Sequence, residues 1–366
     1  MPRINTALLG LNHPVLAGML IFLPMAFILN AVEVTHPMLT FVVSGLAIVP
    51  LAAMLAHATE NLARVVGSSI GGLLNATFGN ATEMVVSIVA LQQGLVEVVK
   101  ASISGAIIAN LLLALGAGMT LGGLKYPLQE FHPQAARINA SSLILALVVL
   151  LTPASIHYTA DGIAPATLIR FSLVASALLL TYYLLSLFFS MKTHKHLYEV
   201  DEGSDEAEKE LHDKPPVAWN TGLLLGTSTV LVFVSEILVG NLEKAIHTLG
   251  LSPLFTGVIL IPLFGGTVEY ITVIRFARKN KMDLAVSVAM GSSLQIALLV
   301  APVLVFAGYW LGQPMSLEFS PFELMAMAVA VLVTNVISSD GNSNWLEGVL
   351  MLVAYSVLAT AFYFHP

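Results

Sequence analysis

The sequence predicts an all-α polytopic membrane protein of about eleven transmembrane helices: one N-terminal helix, then two inverted five-helix repeats with broken helices. Three observations predict it. Of 366 residues, 57% are apolar and 10% charged, against about 25% charged in soluble domains, and the mean hydropathy is +0.87. Apolar runs of roughly 18 or more residues, each enough to span a bilayer, follow one another along the chain. Finally, the polar break Phe78-Gly79-Asn80-Ala81-Thr82-Glu83 has a counterpart in Phe264-Gly265-Gly266-Thr267-Val268-Glu269. Phe78 and Phe264, Gly79 and Gly265, Glu83 and Glu269, and Gly105 and Gly291 are all 186 positions apart.

The expected spans are 14–32, 38–58, 69–93, 98–121, 138–157, 164–190, 217–239, 249–275, 283–309, 320–338 and 343–363. The first lacks a basic leader and a small-residue cleavage site, so it reads as a retained helix. With no cysteine in the chain, disulfides, thiolate metal sites and cysteine nucleophiles are excluded. The net charge of −7 carries no nucleic-acid signal. Orientation follows the positive residues. Arg3, Arg64, Lys125, Arg137, Lys192, Lys195, Lys209, Lys214, Arg275, Arg278, Lys279 and Lys281 fall on one side, and Lys100, Arg170 and Lys244 on the other. That places the N-terminus in the cytoplasm and, with an odd span count, the C-terminus outside; a prokaryotic plasma membrane is the expected location.

The expected organisation is an extra helix over 1–34, a first repeat over 35–190, an acidic cytoplasmic loop over 191–216 and a second repeat over 217–366. Five spans per repeat insert the second upside down relative to the first, the arrangement of many secondary transporters. The loop holds Glu199, Asp201, Glu202, Asp205, Glu206, Glu208, Glu210 and Asp213 against one lysine, Lys209. It reads first as a solvated linker and second as an irregular cation-responsive segment.

Chemistry concentrates at the breaks. A carboxylate inside hydrocarbon is costly unless it faces a cavity or a partner, so Glu83 and Glu269 are the leading candidates. Thr77, Asn80 and Gly265 sit in the breaks themselves. There Pro262, Gly265 and Gly266 weaken the helix, and unwound backbone would line a cavity. The partner spans add Asn110, Ser292, Ser293 and Gln295; close helix packing accounts for Gly105, Ala106 and Ala109 and is the first reading of Ser104. Two carboxylates with amide, hydroxyl and carbonyl oxygens form an all-oxygen site that suits Ca²⁺. One divalent cation neutralises a pair of carboxylates, and so do two protons. Both loaded forms can cross a conformational barrier that the bare dianion cannot, which is the condition for exchange rather than leak. Glu236, in the seventh span, is a further proton-coupling candidate. A membrane enzyme is disfavoured, because no nucleophile–base or metal-ligand pattern appears and no cofactor is implied.

Gly79-Asn80-Ala81-Thr82-Glu83, and Lys279-Asn280-Lys281-Met282-Asp283-Leu284 leading to Gly291-Ser292-Ser293-Leu294-Gln295-Ile296-Ala297-Leu298, resemble the two conserved repeats of the calcium/proton exchangers, within the calcium/cation antiporter superfamily. The tail 340–348 is also similar, and the likeness runs along nearly the whole chain. The resemblance implies calcium export against inward protons by alternating access, with Glu83 and Glu269 as shared carriers. It implies that Asn80, Ser292 or Ser293 and Gln295 lie near the ion, and that Glu236 is the family's acidic membrane residue. Where the family usually has Gly-Asn-Ala-Ala-Glu-His, this chain has Gly265-Gly266-Thr267-Val268-Glu269-Tyr270, with Gly266 in place of the amide and Tyr270 in place of the histidine. The usual serines of the first repeat's partner span are Ala106 and Ala109. Exchange of Na⁺, K⁺ or Mn²⁺ therefore stays open, as does a passive cation channel. The expected partners are membrane lipids, Ca²⁺ and H⁺, without nucleic acid; a homo-oligomer is left open.

Overall fold

Backbone amides surrounded by hydrocarbon must pair within their own segment, so long apolar runs fold as helices. The computed structural model describes residues 9–11, 13–32, 37–66, 71, 74–75, 77–159, 164–194 and 216–365. The acidic run 199–213 lies outside the described residues, as does Arg3. The helices are α1 (Pro14–Ala31), α2 (Pro37–Val66), α3 (Ala81–Gln92), α4 (Val96–Gly123), α5 (Pro133–Thr159), α6 (Pro165–Thr193), α7 (Val217–Gly240), α8 (Leu242–Leu249), α9 (Pro253–Gly265), α10 (Thr267–Arg278), α11 (Met282–Trp310), α12 (Pro321–Ile337) and α13 (Trp345–Phe364). A short antiparallel ladder joins β1 (Gln129–Glu130) to β2 (Asn342–Ser343), pairing Gln129 with Ser343 and Glu130 with Asn342.

Each expected span finds a helix, but not all are long enough to cross alone. Among the described residues, eight qualify by length and composition, counting α7 and α8 as one run, and nine if the bent pair α9–α10 is a single span. The expected eleven is not reached by this measure, because α3 and α12 have only 12 and 17 residues. The cause is local. The helix of α3 begins only after the turn at Gly79 and Asn80. At α12, Pro321 and the Ser320 cap fix the first turn, with Ser320 Oγ accepting from Glu323 N–H and Glu323 accepting from Ser320 N–H, and the helix ends at Ile337 before Ser338.

The chain divides into two compact units, neither of which is a sequence half. One combines Met1–Val89 with Ser186–Leu249, the other Ala90–Leu185 with Gly250–Pro366. In the first, α2 is the centre: α1, α7 and α8 pack on it, and Asn61 Nδ2 donates to Asn220 Oδ1 at 3.0 Å to tie α2 to α7. Helix α1 buries little beyond Ala26, as an outlying helix should.

In the second unit the core is α4, 94% of whose apolar window is buried. At its glycines and alanines there is no large side chain, and neighbours close onto its backbone there. A Cβ on Gly105 would collide with the Val258 backbone of α9, and one on Gly257 with Ala101. Farther along, Gly116 meets Gly348 and Met351 of α13, while Gly118 meets Val273 of α10. Without a hydrophobic drive between helices in lipid, such close approach supplies the packing.

One end of this unit is stitched by polar contacts. Gln129 Nε2 donates to Ala277 O at 2.8 Å and to Asn280 Oδ1 at 3.0 Å, with Asn280 itself at φ 59°. His132 Nδ1 and Asp283 Oδ1 lie 2.9 Å apart. The turn 338–344 also receives the Phe131 N–H on Gly341 O at 2.8 Å. Placing leucine at Gly105 should overpack the α4–α9 contact by about 1–3 kcal/mol. The expected outcome is a lower melting temperature in detergent than for leucine at Gly222, where a Cβ meets nothing within 4 Å.

Candidate functional site

The two breaks have one geometry. Helix α3 runs Ala81–Gln92 and α10 runs Thr267–Arg278, so both start and end 186 positions apart and both have 12 residues. In each, the glutamate is the third residue of the resumed helix. A carboxylate there is favoured by the partial positive charge of the helix N-terminus. In the first break Gly79 N–H donates to Asn75 O at 2.7 Å, and Met84 N–H to Asn80 O at 3.1 Å, so the helix restarts from the Asn80 carbonyl. Asn80 is 2% exposed, whereas Thr77 is exposed on the preceding turn. Glu83 Oε2 is buried and, among the described residues, accepts no hydrogen bond.

In the second break the axes of α9 and α10 differ by 60°. Sequence reasoning expected unwinding at both glycines. It is confined to Gly266, at φ −82° and ψ 7°, while Gly265 is the last, buried residue of α9. The carbonyl end of α9 is covered by the first turns of α10. Pro262 O accepts from Gly266 N–H at 2.9 Å and from the Tyr270 hydroxyl at 2.9 Å, and Leu263 O accepts from Thr267 Oγ1.

The second unit gathers most of the remaining candidates. Helices α10, α11 and the central turn of α4 pack on one another, and they carry Glu269, Ser292, Ser293, Gln295 and Asn110. Each of α4, α9 and α11 contains a π-helical turn, over Ala109–Ala114, Thr256–Leu260 and Ile296–Val300. Such turns recur at functional sites because they displace side chains from the regular helical stripe. Asn110 lies in the first, and Gln295 immediately precedes the third. Asn110 is 2% exposed, and its Oδ1 accepts no hydrogen bond among the described residues. Buried acceptor oxygens ordinarily have a donor or a cation. Glu83 Oε2 and Asn110 Oδ1 are thus chemically suited to a hard cation. Ser293 spends its hydroxyl on Ala289 O at 2.9 Å. Among the described residues no three His, Cys, Asp or Glu side chains cluster.

Glu236 stands apart from these. It is exposed near the end of α7 and lines a cavity of about 760 Å³ in the first unit with Asn30, Thr40, Asn241 and Lys244. A carboxylate that the hydropathy window put inside hydrocarbon therefore opens onto polar surroundings.

One buried acid had no sequence signal for its partner. Glu323 is 3% exposed; its Oε1 accepts from Ser104 Oγ of α4 at 2.9 Å and its Oε2 from Ser320 N–H at 3.0 Å. Ser320-Pro321-Phe322-Glu323 announces the cap. Nothing in it announces Ser104, 219 residues away.

Broken apolar helices with a buried carboxylate just past each break define an ion-translocating polytopic membrane protein. The chain belongs to the sodium/calcium exchanger protein family, which matches residues 36–192 and 219–364. A Ca(2+)/H(+) antiporter of Synechocystis sp. is 49% identical over 363 residues, covering 95% of this chain and 96% of the relative. One of Aphanothece halophytica is 49% identical over 368 residues, covering 97% and 98%. Among solved structures, native YfkE superposes with a TM-score of 0.83 at 35% identity, covering 96% of this chain and all of the other.

Replacing Ser104 with alanine should cost about 1–3 kcal/mol of stability, because Glu323 then keeps a buried carboxylate oxygen without its donor. Ser104→Ala should melt lower than the parent in detergent. In a Glu323→Leu background, which already lacks the carboxylate and its cap, Ser104→Ala should cost little further.

Proposed function

We propose that this protein is a secondary antiporter that exports cytosolic Ca²⁺ in exchange for protons by alternating access. The observation that carries the reading is the duplicated break: two 12-residue helices beginning 186 positions apart, each with a glutamate in its first turn. The names of the relatives at 49% identity point to the same chemistry. Glu83 and Glu269 carry the exchanged ions, binding Ca²⁺ as carboxylates or protons in its place. Either load cancels the two negative charges, and the bare pair is the costly species to enclose. Asn80, Thr77, Asn110, Gly265, Ser292, Ser293 and Gln295 supply neutral oxygens around the ion, as Ca²⁺ coordination requires. Glu236 serves proton entry from its polar cavity.

The same reading assigns residues 35–190 and 217–366 to oppositely inserted repeats, with 1–34 as an added helix and 191–216 as the joining loop. Twelve positive residues against three set the N-terminus in the cytoplasm and the C-terminus outside. Bacterial relatives support a plasma-membrane location. Exchange of Na⁺, K⁺ or Mn²⁺ is the second reading, favoured by Gly266, which offers no side-chain oxygen where the related motif has an amide.

In vesicles, calcium uptake should follow an imposed pH gradient and collapse it. Glu83→Gln and Glu269→Gln should each reduce that uptake to background while the protein still inserts and purifies. Calcium movement that persists with no counter-moving protons would make the protein a channel. Proton flux driven by sodium or manganese but not calcium would select the second reading.

A further inference from the structure

The pair Gly266 and Tyr270 is accounted for by neither the carboxylate chemistry nor the break itself. Gly266 has φ −82° and ψ 7°, a conformation open to residues with side chains, as at the third position of a type I turn. Nothing in the backbone calls for glycine there. The space around it does. A Cβ on Gly266 would lie 2.7 Å from Tyr270 Oη, 2.8 Å from Cζ and 3.0 Å from Cε1. Helical side chains lean toward the N-terminus, so a ring four residues on folds back over residue 266 and occupies the volume of its missing side chain. From there the hydroxyl reaches the Pro262 carbonyl at 2.9 Å, eight residues earlier and across the 60° bend. Together with the Thr267 hydroxyl on Leu263 O, it ties the two helical pieces at two adjacent carbonyls.

We infer that Tyr270 is a positioning residue for Glu269, clasping the bend of the second break, and that glycine at 266 exists to admit its ring. Glu269 precedes Tyr270 in the same helical turn. A clasp that fixes the angle of α10 against α9 therefore fixes where the Glu269 carboxylate is presented. Chain flexibility is not the purpose of this glycine; it is the socket of a rigid joint. The functional half of the inference rests on the exchanger reading, whereas the structural half does not.

Four variants test it: Tyr270→Phe, Tyr270→Ala, Gly266→Ala, and Gly266→Ala combined with Tyr270→Ala. Each is purified in detergent for melting and reconstituted for pH-gradient-driven calcium uptake. Gly266→Ala should lower the melting temperature or prevent folding when Tyr270 is present, and should cause no further loss in the Tyr270→Ala background, where the methyl has room. Equal losses in both backgrounds, or none in either, would overturn the socket. Tyr270→Phe keeps the ring and removes only the hydroxyl bond. It should raise the calcium concentration for half-maximal uptake roughly three- to tenfold, the worth of one hydrogen bond, while the maximal rate stays within about twofold. An unchanged half-saturation, whatever happens to yield or maximal rate, would reduce Tyr270 to a packing residue. If the parent protein shows no calcium uptake, the exchanger reading fails, and the melting comparison still decides the socket.

Discussion

A buried carboxylate inside an apolar helix is the constraint from which the rest follows. Hydrocarbon offers neither Glu83 nor Glu269 a partner, so each must be placed where backbone dipoles, polar side chains or a cation can meet it. The chain solves this twice in one way. It interrupts the helix, resumes it, and puts the acid in the first turn of the resumed piece, where unpaired N–H groups give a local positive field. Small residues in α4 then let the surrounding helices close tightly around a span that carries polar groups of its own.

The two breaks are equivalent in position but not in material. At the first, Asn80 is a buried amide and Gly79 bonds back to Asn75. At the second there is no amide, and hydroxyls from Thr267 and Tyr270 cover the carbonyls of Leu263 and Pro262. Carbonyl oxygens already engaged with hydroxyls are weaker ligands than open ones. The second half therefore leans more on its carboxylate, and on neighbours such as Asn110 and Gln295, for any oxygen it offers an ion.

Much of this was readable from the chain alone, because a membrane makes strong demands on local sequence. Hydropathy located every described helix except α8, which falls between two expected spans, and the 186-residue offset anticipated two helices with matching ends. What stayed hidden was decided between distant residues. Ser104 reads as a small packing residue until Glu323 is found on it. Gly266 reads as a flexible point until the Tyr270 ring is found over it. The π-helical turns have no sequence signature, since they arise from how a helix accommodates its neighbours. The compact units cut across the two halves for a related reason. Hydropathy ranks segments by their affinity for lipid and is silent on which of them pack together.

The glycines of α4 have a consequence for biogenesis. Gly105, Gly116, Gly118, Gly122 and Gly123 each make a helix less stable in water than alanine would, by about 1 kcal/mol apiece. Only the bilayer, where an unpaired amide is prohibitive, holds such a segment in shape. The partners that bury its bare backbone are synthesised long after it leaves the ribosome. This span must therefore wait, already inserted but unclad, and it is the point in the molecule where assembly is most exposed to capture by lipid or by the wrong helix.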